Sequence, residues 1–338
     1  MKIFRRILLI ILCIALVVIT IGFFLPRKIH VQRTEKISAS QKTIFKQVNT
    51  LKNWVRWFPW LQIDTSMQLI YSGPAAGVGA TLKWMSTDMN VGNGSVSIIS
   101  SFSSDSLEVV FDFAEKGKST EKFIFLKENQ NTNVSCSVDC DLGMNPISRW
   151  FGLFSDHLIG PDIEQGLLNL DQLVRDTKNV YGYEITDYEV PAKILISMRD
   201  TASPETVTTK MALMYKRISL FLKSKNLSPI GNPLAVFHNY SNRNFDIEAG
   251  LPVPSAMLVP EGLYCSEKEA QRIVMISYVG SYKMISSAYE AIQSYINDND
   301  LQANGPVWEE YITNPTIEAD SNTRLTNIYY PIKQIAPK

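Results

Sequence analysis

Histidine and cysteine are scarce, with three and four copies among 338 residues, and no cysteine pair has CxxC spacing. So few and so scattered, they argue against a metal centre, and no cofactor is expected. Cys136 and Cys140 stand four apart in the strand-like run VSCSVDC. On one strand that places them on a shared face roughly 13 Å apart, beyond disulfide reach. Both read as packing residues. An excess of either charge is missing too, since Lys+Arg and Asp+Glu number 33 each. A phosphate backbone would meet no positive field, so no nucleic-acid partner is expected. With hydrophobics at 45 %, long disorder is excluded.

Charge is absent altogether from residues 7–25, ILLIILCIALVVITIGFFL. Nineteen residues at helical rise span roughly 28 Å, close to the thickness of a bilayer core. A cleaved signal peptide usually has a shorter apolar region ending in small residues, whereas this run ends in FFLPRK. The sequence therefore predicts an uncleaved single-pass anchor over residues 1–28. Lys2, Arg5 and Arg6 oppose Arg27, Lys28 and Arg33, so the positive-inside rule nearly ties. The short head and signal-like order favour the soluble part on the outer, periplasmic side.

The remaining length suits two domains. In residues 29–178, IHVQRTEKIS alternates like a strand. SQKTIFKQVNTLKNWVRW then places Ile44, Phe45, Val48 and Leu51 at helical spacing behind Ser40 as N-cap. Six strand-like runs follow from about 65 to 142, separated by turn signals such as SGPAAG and SSDS, in the pattern of an antiparallel meander. Ile159, Ile163, Leu167, Leu170 and Val174 then form one stripe of a long helix.

That element order, with the tryptophan-rich NWVRWFPW after the first helix, resembles the START-like (SRPBCC, polyketide-cyclase-like) helix-grip superfamily. The resemblance covers about 145 residues. It implies a hydrophobic cavity between sheet and final helix, commonly used for lipids or other apolar molecules, but fixes no activity. Trp54, Trp57 and Trp60 read more simply as core covers than as a ligand cage. His157 reads as a surface residue, and Asp139 and Asp141 as solvated.

A polar hinge, RDTKNVYGYE, leads to residues 181–335, where the chain repeats itself. MYKRISLFLKSKNLSPIGNPLAVFHNY from Met214 lies over AYEAIQSYINDNDLQANGPVWEEYITN from Ala288 without a gap. Tyr215 meets Tyr289, Ile218 meets Ile292, and Gly231 meets Gly305. Each copy is preceded by a strand and followed by another. Two such halves about a pseudo-twofold would build one continuous sheet with two helices on one face and a groove on the axis, a natural pocket position.

The overlay sets Ala235 on Glu309, Val236 on Glu310 and Phe237 on Tyr311. By the period of two, Glu309 and Tyr311 share one strand face and Trp308 and Glu310 the other. Apolar Leu234 and Val236 suggest that the Trp308 face meets the helices, that Glu309 and Tyr311 look into the groove, and that Glu310 lies near an exposed edge. His238 reads as a hydrogen-bonded core residue.

GNPLAVFHNY, FDIEAGLPV, VGSYKMISSAYEAIQSYI and GPVWEEYITNP resemble the GyrI-like, effector-binding domain of bacterial multidrug-responsive regulators. The resemblance spans about 155 residues. It implies a pseudo-symmetric sheet cradling lipophilic, often cationic molecules, with a pocket glutamate at Glu309, Tyr311 beside it and a pocket tyrosine at Tyr282. Some similar proteins hydrolyse reactive small molecules through that glutamate. No helix-turn-helix segment accompanies the domain here, so direct transcriptional control is not expected.

Together these readings predict an α+β protein: an anchor, a START-like domain and a GyrI-like domain. The expected function is binding of a lipophilic, cationic small molecule by Glu309, Tyr311, Tyr282, Trp308 and Phe237. The alternative is hydrolysis with Glu309 as general base.

Overall fold

An apolar helix, α1 (Lys2–Phe24), opens the chain, and its segment Phe4–Phe24 is long and apolar enough to cross a membrane. The computed structural model describes residues 2–89, 91–114, 117–129, 131–240, 244–313 and 320–335. By its contacts the chain divides into two units, Met1–Asp176 and Thr177–Lys338. It is a mixed α+β protein with two antiparallel sheets.

In the first unit, β1 (Lys28–Ile37), α2 (Gln41–Asn49) and α3 (Trp60–Ile63) precede a meander of six strands. These are β2 (Gln68–Ser72), β3 (Thr81–Met85), β4 (Asn93–Phe102), β5 (Ser106–Asp112), β6 (Lys118–Glu128) and β7 (Asn131–Asp141). The sheet order is β1-β7-β6-β5-β4-β3-β2. Then come α4 (Pro146–Gly152) and the long α5 (Ser155–Arg175). Ser40 caps α2, its Oγ accepting from the Thr43 amide at 3.2 Å.

The alternation in β5 to β7 buries Leu107, Val109, Phe111, Phe123, Phe125, Val134 and Val138 on one face. The stripe Ile163, Leu167, Leu170 and Val174 of α5 is buried as well. Each such side chain contributes about 1.5–3 kcal/mol on burial. Trp54 and Trp57 lie wholly inside, and the Trp54 indole donates to the Val48 carbonyl at 2.8 Å. His157 is exposed.

The end of α1 is held by α4. A helix leaves its last carbonyls without internal partners. Here Arg149, buried at 7 % exposure, donates from Nη1 to the carbonyls of Phe23 (2.7 Å) and Leu25 (3.4 Å) and from Nη2 to that of Gly143 (3.0 Å). The Trp150 indole donates to the Val18 carbonyl at 2.9 Å. Gly22 permits this approach, because a Cβ there would sit 2.6 Å from the Pro146 carbonyl oxygen.

The second unit starts with a short helix, α6 (Thr177–Tyr181), where the sequence suggested a hinge. Tyr181 packs edge-on against Tyr295, 5.6 Å between ring centres, which gives this polar stretch a reason to order. Gly182, at φ 80°, turns the chain out of it. The elements that follow are β8 (Ile185–Val190), β9 (Lys193–Ala202), α7 (Val207–Ser224), β10 (Leu234–Tyr240), β11 (Phe245–Val253), β12 (Tyr264–Lys268) and β13 (Gln271–Val279). A 3-10 turn at Tyr282–Met284 leads to α8 (Ser286–Asp298), β14 (Leu301–Ala303), β15 (Val307–Tyr311) and β16 (Leu325–Gln334).

The sheet runs β12-β9-β11-β10-β15-β16-β13-β8. The triplets β9-β11-β10 and β15-β16-β13 mirror each other about the β10–β15 seam, so the repeat seen in the sequence is a structural one. At the seam Leu234 pairs with Glu310, Ala235 with Glu309, and Val236 with Trp308. Ala235 and Glu309 are repeat equivalents, so the pseudo-twofold passes between them.

One expectation reverses. Met211, Met214 and Ile218 of α7 pack with Ala235, Phe237 and Tyr311, whereas Trp308 packs with Val190, Leu195, Leu234, Val236, Ile273 and Tyr329. The helices therefore cover the Glu309 face. Apolar residues at 234 and 236 misled because a second apolar cluster covers the opposite face.

Candidate functional site

Glu309 sits on the axis, between the two helices of the duplication. The residue is 6 % exposed. Two phenols hold its carboxylate: Tyr289 of α8 donates to Oε1 at 2.7 Å, and Tyr311, two residues along β15, donates to Oε2 at 2.9 Å. Burial pushes the Glu309 carboxyl above the usual carboxylate range, against the opposing pull of those two hydrogen bonds. Among the described residues no basic side chain pairs with it.

More phenols surround this acid. Tyr215 of α7, the repeat partner of Tyr289, donates to the Leu234 carbonyl at 2.7 Å. Burial first, and then the Glu309 charge, push the hydroxyls of Tyr215 and Tyr311 well up. The ring of Tyr282 stands edge-on to that of Tyr311, 5.8 Å between centres. The Arg324 guanidinium lies 5.8 Å from the Tyr282 ring centre, a cation–π contact.

Of the residues singled out from the sequence, the structure gathers Glu309, Tyr311, Tyr282 and Phe237 on one face. Trp308 is not with them. It lies on the other face, stacked on Tyr329 at 5.1 Å and 7°, and borders a separate hollow of about 430 Å³. Glu310 is not at an edge either, since β15 lies between β10 and β16. It is half-buried and accepts from Tyr329 at 2.7 Å and from Asn232 at 3.1 Å. His238 is hydrogen-bonded but half-buried rather than in the core, 2.7 Å from Glu248, which Lys268 also reaches at 3.1 Å. Burial alone would raise the Glu248 carboxyl, but Ser197, then His238 and Lys268, hold it below its ordinary range. Tyr215 and Tyr289 were missed as site residues. The signal was there: a tyrosine at the same place in both copies.

The first unit has a hollow of its own, about 390 Å³, between the sheet and α5. Trp57, Phe58, Phe123, Ile163 and Leu167 line it, with Glu121 among them. Nothing in the sequence reading flagged Glu121. Its only signal is phase: Glu121 alternates in step with Phe123 and Phe125.

Residues 184–333 match the family model described as the GyrI-like small molecule binding domain. That match lies within the C-terminal unit. Solved structures of similar fold include the EcmrR C-terminal domain, at 20 % identity and a TM-score of 0.42, covering 45 % of this chain and 99 % of that one. A hydrolase from Listeria innocua is similar at 14 % identity and a TM-score of 0.36, covering 44 % and 91 %. SAV2435, solved bound to tetraphenylphosphonium, is similar at 12 % identity and a TM-score of 0.33, covering 44 % and 94 %. No curated protein matches the chain. The match supports a ligand-binding role for this unit.

Proposed function

We propose that the chain is a membrane-anchored protein whose GyrI-like domain binds lipophilic cations, with Glu309 as the counter-ion. One observation carries this reading: a carboxyl enclosed by protein and held, among the described residues, by the phenols of Tyr289 and Tyr311. A buried carboxylate without a cation is costly, and the raised pKa records that cost. A cation that carries its own apolar surface between α7 and α8 would restore the charged form. The faces of Tyr282 and Tyr311 could add about 1–2 kcal/mol of cation–π attraction once desolvated. Phe237 supplies apolar wall on the same side.

α1 serves as the anchor in this reading, with the soluble units on the outer side of the membrane. The hollow between sheet and long helix supports the START-like reading of the first unit. Access of added protease to the folded units in intact against permeabilised cells would test the orientation.

The test of the central claim is selectivity. Glu309→Gln should weaken binding of a lipophilic cation such as tetraphenylphosphonium at least tenfold, and leave a neutral apolar dye within about twofold. Equal losses for both would remove the counter-ion role. Turnover of an electrophilic small molecule by the wild type, lost in Glu309→Gln, would move the reading to hydrolysis with Glu309 as general base.

A further inference from the structure

The cavity of the first unit contains an acid that its fold does not use. In β6 the strand period sends Ser119, Glu121 and Phe123 to the concave side, where all three line the hollow. Glu121 is flanked in register by Val109 of β5 and Val138 of β7, both buried. The accessible part of its side chain faces the hollow, and protein encloses the rest. Among the described residues its carboxyl makes no hydrogen bond and no ion pair.

The other titratable groups of the cavity wall do not neutralise it. Asp162, from α5, is a second acid, and its Oδ2 accepts from the Trp60 indole at 3.1 Å. Cys136 and Cys140, from β7, are free thiols. Lys118 lies at the rim with its side chain largely exposed, and its ammonium is held 2.9 Å from Asp112. The wall is otherwise mostly apolar and aromatic. Burial, reinforced by Asp162, pushes the Glu121 carboxyl up to about 8.

An apolar hollow of this size suits a small amphiphile, and its few polar groups determine which one. Two acids without a free base make it inhospitable to fatty acids and other anions. A neutral molecule would leave the carboxyl without a partner. An ammonium would complete it, in a medium where each charge contact is stronger than in water. We infer that this cavity is a second ligand site, for an apolar molecule bearing one protonated amine whose ammonium pairs with Glu121. This inference is independent of the Glu309 site, which lies in the other unit.

The experiment uses the full chain in lipid nanodiscs and two photoreactive probes of equal length, a diazirine-bearing hexadecylamine and a diazirine-bearing hexadecanol. Labelled peptides are located by mass spectrometry, so cavity labelling (residues 117–123 and 155–167) is read separately from the GyrI-like domain. The amine should label the cavity peptides at least tenfold more than the alcohol at pH 7. Glu121→Gln should remove that preference, whereas Glu309→Gln should leave it intact. Amine labelling should also rise from pH 6 to pH 9 in the wild type and stay flat in Glu121→Gln, a response that a purely structural glutamate would not give.

Equal labelling by both probes in the wild type would overturn the inference. So would an amine preference that persists unchanged in Glu121→Gln. If Glu121→Gln unfolds, by the criterion of far-ultraviolet circular dichroism, the wild-type amine-to-alcohol ratio and its pH course decide alone. A ratio near one or a flat course rejects the site.

Discussion

Ala235 and Glu309 face each other across the β10–β15 seam, each at the place the other holds in the duplicated half. The two halves thus share a backbone plan and differ where they meet: one contributes a methyl group and the other a carboxyl. A second acid at 235 would have set two like charges on the axis, and one proton would have had to serve both. The small side chain leaves the seam with a single acid at this level.

The two phenols on Glu309 should be separable by mutation. Tyr289→Phe or Tyr311→Phe removes one donor to the carboxylate, so each variant should raise the Glu309 pKa further. Each should also cost about 1.5–3 kcal/mol where the carboxyl is ionised, the worth of a hydrogen bond to a charged group. Carbon-13 NMR of labelled glutamate follows the titration, and urea unfolding measures the stability. An unchanged titration in both variants would show that the phenols do not govern the charge.

Cation binding should tighten as pH rises. An acid whose folded pKa lies above its ordinary value holds a proton that a cation must displace. Affinity for tetraphenylphosphonium should therefore climb through a window above the normal carboxylate range and then level off. In Glu309→Gln the curve should be flat. Equilibrium dialysis across pH 5–9 provides the check.

Glu121 makes a prediction about stability with a definite sign. Its pKa is raised by folding, from 4.5 to about 8, so its contribution is intact below 4.5 and is lost as pH rises through about 8. Glu121→Gln should match the wild type near pH 4 and melt higher than it at pH 9. At roughly 2–4 °C per kcal/mol for a unit of this size, the gap should be several degrees. A lower melting point for the variant at pH 9 would mean that the carboxylate has a partner.

Arg149→Ala should loosen the exit of α1. The carbonyls of Phe23, Leu25 and Gly143 would each lose a charged donor, a bond worth about 1.5–3 kcal/mol where its geometry is good. Trypsin should then cut after Arg27 or Lys28 several-fold faster than in the wild type. The Arg149→Lys variant, which keeps the charge but loses the fork of donors, should fall between the two.

Much of the architecture was legible because period and punctuation agree. Ser40 announced α2, the stripe from Ile163 to Val174 announced α5, and the overlay of Tyr215 on Tyr289 announced the doubled sheet. What period cannot say is which side of a sheet the helices take. Glu309 and Trp308 were assigned to opposite faces correctly, but the helices were set over Trp308, because both faces of this sheet are buried and both carry apolar side chains. Glu121 was hidden for a related reason. In KSTEKFIFLKE one inward acid looks like its outward neighbour Lys122 until the phase with Phe123 is taken as decisive. The helix α6 was invisible because its order comes from Tyr181 meeting Tyr295, a contact far along the chain.

The clasp of Arg149 and Trp150 on α1 has a geometric corollary. Val18 lies seven residues before Leu25, about 10 Å down the helix axis. A side chain that reaches its carbonyl must follow α1 to that depth. With α1 spanning a bilayer, α4 would be immersed in the membrane boundary rather than suspended above it. Phe151 and Leu158, exposed and on the rim of the first unit's hollow, would then open toward acyl chains instead of water.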